Sequence, residues 1–245
     1  MVNGTRFSGA GFVGTGQAAE IKVLASNAVK EAFGNLMPAF EKATGHKVTV
    51  GWGSTIDINN RVSGGESADI VITAASVIDA LTKQGRLAAG SRVDFSKSGI
   101  GVAIRPGAPM PDISSGEALK ASLLAAKSII LSSGPSSSYL ADLFQRMGIA
   151  EVLKPKIKKL APGLPVGQAL ANGEGDIGFT QVCELLTVKG IVFLGPLSAD
   201  IQHITVISMG LHTAATAVDA SKALMKFLTS PEAVPEIRRC GMEPG

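Results

Sequence analysis

The sequence of 245 residues is poor in aromatic residues and carries no concentrated charge of either sign. Aromatic residues make up 4% of it, with one Trp and one Tyr, whereas stacking of nucleic-acid bases needs aromatic faces. Lys and Arg number 23 against 20 Asp and Glu, which gives a formal net charge of +3 without a basic block. We therefore expect no nucleic-acid partner.

Cysteine and histidine are also scarce. Cys183 and Cys240 lack the spacing of a metal site or a disulfide framework. His46, His203 and His212 lack the spacing of a zinc-binding helix. A nucleophile elbow, a complete dinucleotide motif and a phosphate loop are missing as well. The sequence thus predicts no metal and no cofactor, and it leaves the catalytic residues unassigned.

The first 19 residues are rich in glycine and have no periodic apolar pattern. A secretory signal needs about 7–15 consecutive apolar residues, which this segment lacks. The stretch Gln17-Ala18-Ala19-Glu20 nevertheless has the small residues left where an export signal is cut. We expect residues 1–19 to be an unstructured leader or tag ahead of a mature exported domain. The alternative is the floppy N-terminus of a cytosolic protein.

Short apolar segments alternate with amphipathic helical patterns along the remaining chain. This alternation predicts parallel βαβ units and an α/β fold. The predicted strands are 21–25, 47–51, 68–73, 99–105, 127–131, 176–179 and 201–209. The predicted helices are 28–43, 54–62, 77–84, 116–126, 138–147 (after a polar loop at 132–138), 166–172, 216–228 and 231–239.

Three of these strands end in small polar residues that open the next helix, at 24–27, 52–55 and 132–138. Ligands of open α/β sheets lie beyond the carboxyl ends of the strands. The first turn of each following helix offers unpaired N–H groups and a positive dipole end. Three such ends directed at one cleft would form an anion site. The alternative is that each Ser, Thr or Asn is only a helix cap.

Charged residues in the same regions have two interpretations each. Lys30 falls in the first turn of a helix and is either solvated or in contact with an acidic ligand. Glu174 and Glu184 could act as general bases, although exposed helix carboxylates are commoner. Cys183 would be a nucleophile only if a cation or a helix end activated it.

Seven segments carry a family resemblance. The chain resembles type II periplasmic solute-binding proteins of the molybdate-binding branch in four segments: IKVLAS at 21–26, FEKATG at 40–45, GESADIVI at 65–72 and FLTSPEA at 227–233. By AKSI at 126–129, GEGDIGFTQ at 173–181 and GIVFLGPL at 190–197, it resembles the subgroup that includes aconitate isomerase, which interconverts cis- and trans-aconitate.

The resemblance implies two α/β lobes, each a mostly parallel sheet flanked by helices, joined by two crossovers around a ligand cleft. By position, one lobe comprises 20–98 with 206–245, and the other 99–205. This division puts the two cysteines in different lobes and predicts free thiols. The residues carried over to the ligand are Ser26, Asn27, Ser54 and Thr55 from the first lobe, and Ser136, Ser137, Val166 (through its backbone) and Gln181 from the second.

The implied function is capture of a small anion, a di- or tricarboxylate or an oxyanion, by a periplasmic monomer that serves an ABC importer. The first alternative is aconitate isomerase, for which Glu184, Lys30 or a serine hydroxyl would have to act as base. The second alternative is a molybdate or tungstate binder. Those proteins place a serine where Ala28 stands and a tyrosine where Gln181 stands.

Overall fold

A computed structural model describes residues 18–245, so the predicted leader at 1–19 lies almost wholly outside the described residues. The strands are β1 (Glu20–Ser26), β2 (Lys47–Gly53), β3 (Ile70–Ala74), β4 (Val93–Ile104), β5 (Ile129–Leu131), β6 (Ile157–Lys159), β7 (Ile177–Gln181), β8 (Val192–Pro196), β9 (Ile204–Leu211) and β10 (Glu243–Pro244). The α-helices are α1 (Lys30–Thr44), α2 (Thr55–Ser63), α3 (Ala75–Lys83), α4 (Gly116–Ala125), α5 (Pro135–Arg146), α6 (Ala150–Leu153), α7 (Val166–Ala171), α8 (Val182–Leu185), α9 (Val218–Leu228) and α10 (Val234–Arg239).

Helix α1 illustrates how the sequence specifies these elements. Phe33, Leu36 and Phe40 recur at helical spacing and are all buried, as the apolar pattern predicts. The helix ends at Gly45, whose φ of 75° is left-handed and closes the last turn through a bond to the Glu41 carbonyl. The pattern therefore fixes both the buried face and the end of this helix.

The strands form one mixed sheet in the order β2-β1-β3-β9-β4-β7-β5-β6, with β8 and β10 also paired to β4. β1 lies parallel to β2 and β3, and β5 lies parallel to β6 and β7, which confirms the predicted parallel units. The central pairings β3–β9, β9–β4 and β4–β7 are antiparallel. β4 and β9 therefore link two parallel groups of strands.

We call the group of β1, β2, β3, β9 and β10 the first half of the sheet, and the group of β5 to β8 the second half. β4 belongs to both: residues up to Gly99 pair with β9, and residues from Ile100 pair with β7. Each half has its own apolar core. Phe40 packs on Phe227 with ring centroids 5.5 Å apart in the first, and Phe144 and Phe179 are buried in the second.

Several boundaries differ from the sequence prediction, β6 and β8 were not predicted, and three of the differences have a clear physical reason. β4 begins at Val93 instead of 99, because Asp94 bonds to Ser208 on β9 and Ser96 to Met242, and these polar residues break the apolar pattern that marks a strand. α5 begins at Pro135, inside the predicted polar loop, because proline fits the first helical position. β9 begins at Ile204 instead of 201, so His203 precedes the strand and stacks on Tyr139 with ring centroids 4.6 Å apart.

Candidate functional site

A cavity of about 410 Å³ lies where the carboxyl ends of the parallel strands of both halves meet. Its volume falls in the range of small-molecule sites. Its place is the one at which open α/β sheets bind ligands. The polar and charged residues that line it are Ser26, Asn27, Lys30, Glu31, Ser54, Thr55, Ser132, Ser133, Ser136, Thr180, Gln181, Cys183, Glu184, Thr187 and Thr205.

Two predicted serines of the first half line this cavity and also cap helices. The Ser54 hydroxyl accepts from the Asp57 backbone N–H at 3.1 Å, and the Asp57 carboxylate accepts from the Ser54 backbone N–H at 2.9 Å. This reciprocal capping box satisfies the start of α2 from within the protein. Ser26 accepts from the Ala28 backbone N–H at 3.4 Å. Both serines therefore have the capping role that the sequence left as the alternative.

Asn27 and Thr55 differ from those serines. Both line the cavity, and within residues 18–245 neither side chain has a hydrogen-bond partner. Lys30, the first residue of α1, is exposed and lines the same cavity. Among the described residues, no carboxylate pairs with it. The first half thus presents an amide, a hydroxyl and an ammonium group that are free to bind a ligand.

The second half presents the start of α5 to the cavity. Gly134 is its N-cap residue, so no side chain caps this helix. The backbone N–H of Ser136 has no partner among residues 18–245. The hydroxyls of Ser132 and Ser136 lie 3.0 Å apart, so at most one of their two protons is used between them. This helix start is therefore an open donor site for an anion.

Ser137 is the one predicted site residue that does not line the cavity. It is buried in the first turn of α5, and its backbone N–H bonds to the Gly134 carbonyl at 3.1 Å. Val166, the first residue of α7, does line the cavity, as does Gln181. Gln181 donates through Nε2 to the Thr205 hydroxyl at 3.0 Å, and its own Oε1 is buried without a partner in the described chain.

Glu184, on α8, places a carboxylate in the cavity wall. The Thr180 hydroxyl donates to it. Burial raises the pKa of Glu184, and the hydrogen bonds from Thr180 and from the Gln181 backbone only partly oppose that rise. Within residues 18–245 no cationic side chain forms an ion pair with Glu184. The cavity therefore holds an acceptor whose charged form is poorly stabilised.

The other two residues that the sequence offered for catalysis, Glu174 as a base and Cys183 as a nucleophile, are unsuited to those roles. Glu174 is exposed and pairs with Lys158 at 2.6 Å, away from the cavity. Cys183 lines the cavity, but burial raises its pKa to about 12, which leaves the thiol neutral and unreactive. Cys183 and Cys240 are both free and buried, and they share the apolar core of the first half. The expected free thiols are present, and the two side chains lie in one core although the predicted division assigns the residues to different lobes.

Neither a metal site nor a membrane helix is found among residues 18–245. No group of three His, Cys, Asp or Glu there could hold a metal ion. None of the described helices combines the length and the apolar content that crossing a bilayer requires.

Several lining residues were not among the predicted ligand residues. Ser132 and Ser133 belong to the polar segment noted before α5. Thr180 and Thr205 are polar residues in the mostly apolar strands β7 and β9, and that interruption is the signal that could have marked them. For Glu184 the sequence offered no such signal, because its burial depends on the packing of α8.

The sheet of two parallel groups and the polar cavity between them define the chain as a solute-binding protein. It belongs to the family of bacterial extracellular solute-binding proteins, whose model matches residues 21–243. Aconitate isomerase from Pseudomonas sp is 35% identical over 91% of this chain and 87% of its own length. This relative confirms the likeness to the subgroup that includes aconitate isomerase.

Solved structures extend the likeness at the level of the fold. The periplasmic molybdate-binding protein of Azotobacter vinelandii matches with a TM-score of 0.75 and 19% identity, covering 92% of this chain and 99% of that one. The sulfate-binding protein SubI of Mycobacterium tuberculosis matches with a TM-score of 0.74 and 18% identity, covering 92% and 87%. The predicted periplasmic-binding-protein architecture is thereby confirmed.

Proposed function

We propose that the chain is an exported solute-binding protein that holds a small organic polycarboxylate in the cavity. The observation that carries the proposal is the convergence of unpaired donors from both halves: Asn27 and Thr55 from one, and the start of α5 at Ser136 from the other. Carboxylates accept charge-assisted hydrogen bonds from such donors. Lys30 adds a positive charge beside them.

Similarity favours an organic acid over a tetrahedral oxyanion. The cavity, at about 410 Å³, is large enough for such an acid. The aconitate isomerase of Pseudomonas sp supports the same class of ligand, since aconitate is a tricarboxylate. The sequence departures at Ala28 and Gln181 add to the case against molybdate or tungstate.

We also propose that the halves close on this ligand as two lobes, 20–98 with 206–245 and 99–205, in the periplasm, for delivery to an ABC importer. Family membership among extracellular solute-binding proteins supports export. The two halves already approach each other in the loop before α7, where a Cβ placed on Gly163 would lie 3.6 Å from the Asp57 carboxylate of the other half. Hinged closure around a ligand is the motion that periplasmic binding proteins use. Small-angle scattering should show a smaller radius of gyration when ligand is added.

The test of ligand class is direct binding. Calorimetry and thermal unfolding of the purified chain with cis-aconitate, trans-aconitate, citrate and molybdate should give binding and a raised Tm with one or more of the organic acids. The Thr55→Ala variant should weaken that binding. A Tm raised by molybdate alone would overturn the proposal.

Isomerisation of aconitate is the second candidate function, and Glu184 is the observation that favours it. Its carboxylate lines the cavity, and burial raises its pKa, which strengthens it as a base. In the step, Glu184 takes a proton from the methylene carbon and the electron pair forms a new double bond to the central carbon. The proton then returns to the former alkene carbon, so atoms and charge balance. The donors of α5 would stabilise the charge that develops on the carboxylate.

Turnover separates this candidate from simple binding. The chain incubated with trans-aconitate should yield cis-aconitate by chromatography if it is an isomerase. Glu184→Gln should then reduce turnover by at least about 100-fold, with Glu174→Gln as the matched control on an exposed carboxylate. Tight binding without turnover would leave the binding function standing and remove the isomerase.

A further inference from the structure

Glu184 sets a condition on which anions can enter the cavity. The groups free to bind a ligand in the first half are donors, and so is the start of α5. Glu184 faces the same volume and, when ionised, can only accept hydrogen bonds. An anionic ligand seated against it would bring two acceptors together with no proton between them. Such a contact is unfavourable in a partly buried site.

Apart from the hydrogen bonds from Thr180 and the Gln181 backbone, the described surroundings of Glu184 supply no charge that offsets its own. α8 packs against β4, β7, β8, α7 and the turn at Asn27–Val29. The titratable residues of those elements are Asp94 and Lys97, both on β4, and Asp94 is already bonded to Arg92 and Ser208. No charge from these elements contributes to the pKa shift of Glu184.

Other titratable groups near α8 do not change this picture. Cys183, beside Glu184 on α8, and Cys240, in the C-terminal segment that reaches α8, are neutral thiols. Lys30 and Glu31 line the cavity from α1 without pairing with Glu184. None of these groups pairs with Glu184 among the described residues, so a proton would satisfy the carboxylate when an anion binds.

We propose that Glu184 is the specificity residue of the cavity: it shares a proton with a carboxyl group of the ligand, so each organic polycarboxylate is captured together with one proton, and tetrahedral oxyanions that stay fully ionised are rejected. This inference rests on the proposed ligand class. A carboxyl group can be part of such a pair because its own pKa lies close to that of a glutamic acid. The oxygen anion of a strong acid cannot share a proton in this way, because its pKa lies far below that of a glutamic acid.

The sign of the pH dependence follows from this proton. Because the complex holds one more proton than the free partners, affinity rises as the pH falls. Above the free-state pKa of Glu184, the affinity for trans-aconitate should drop by up to about tenfold per pH unit, the limit for one proton. Titration of the ligand itself is the same for every variant and cancels in comparisons between them.

The experiment is calorimetry of trans-aconitate binding between pH 5.5 and 8.5, in two buffers of different ionisation enthalpy, which counts protons taken up. Proton uptake by the wild-type chain should rise with pH towards one proton per bound ligand. The amide of Glu184→Gln can donate a hydrogen bond to the ligand without binding a proton, so this variant should take up no proton. It should bind trans-aconitate at pH 8.5 at least about tenfold more tightly than wild type. It should also acquire measurable binding of molybdate. Glu174→Gln should behave as wild type.

The outcomes are distinguishable. Tight binding with no proton uptake, and the same pH profile in wild type and Glu184→Gln, overturns the inference and leaves the proposed function standing. A wild-type chain that binds none of the organic acids overturns both. The proton count of wild type needs no variant, so the inference stays testable even where Glu184→Gln fails to fold.

Discussion

Two carboxylates, one beside each half of the sheet, have opposite environments. Asp69, just before β3, is 4% exposed and accepts from the backbone N–H groups of Lys22, Thr216 and Ala217 at 2.7–2.9 Å. Burial alone would raise the pKa of Asp69, but these donors together lower it. Glu184 accepts fewer hydrogen bonds, and burial raises its pKa. Hydrogen bonding thus separates a carboxylate that holds the fold together from one that is free for chemistry.

Removing each charge in turn is the most direct test of this difference. Asp69→Asn should lower the free energy of unfolding by about 3 kcal/mol, because it leaves buried N–H groups without their charged acceptor. Glu184→Gln should leave that free energy unchanged or raise it, since it removes a poorly solvated charge. Chemical denaturation at pH 7.5 measures both. Equal losses in the two variants would contradict the assigned difference.

The pH dependence of stability sharpens the same comparison. The folded pKa of Asp69 is lowered, so its stabilisation is present above the unfolded value of about 3.9 and disappears as the pH falls through the folded value. The folded pKa of Glu184 is raised, so stability is highest below about 4.3 in its case and falls as the pH rises through the folded value. Denaturation from pH 3 to 8 should show that Asp69→Asn reduces the loss of stability at acid pH. Glu184→Gln should reduce the loss of stability that accompanies rising pH.

Two serines test the difference at the helix starts that face the cavity. Ser136→Ala removes a hydroxyl at the uncapped start of α5 whose partner within residues 18–245 is the Ser132 hydroxyl, and it should weaken binding of an organic acid about tenfold. Ser54→Ala removes the capping box of α2 and should cost about 1 kcal/mol of stability, with little change in affinity. Calorimetry and denaturation of both variants decide the matter. A reversed pattern would mean that the capped start carries the ligand.

The smallest effect is expected at Lys30. Lys30→Ala should weaken binding about threefold at low salt, because the ammonium group is exposed and well screened. Repeating the titration at high salt should abolish the difference from wild type. Lys158→Ala, on the exposed pair with Glu174, is the control and should bind as wild type.

The sequence predicted the features that depend on neighbouring residues in the chain, and it did not predict those that depend on packing between distant elements. Asn27, Thr55 and Ser136 could be predicted as cavity residues because each follows the carboxyl end of a strand, and these ends face the cavity from the two halves. Glu184 could only be one candidate base among several, since its burial arises from contacts of α8 with five separate elements. The first residues of β4 escaped prediction because the polar residues 96–98 leave them neither an apolar run nor a sustained alternation.

β4 also governs how the molecule can fold. One strand of 12 residues supplies the partner of β9 and β10 at one end and of β7 and β8 at the other. Neither apolar core can complete its sheet while β4 is unpaired, although the strands that meet on it are distant in the chain. Such non-local pairing makes refolding slow and couples the two cores into a single cooperative melting transition. A fragment cut within β4 would accordingly yield two pieces that are unstable alone and recover structure only when mixed.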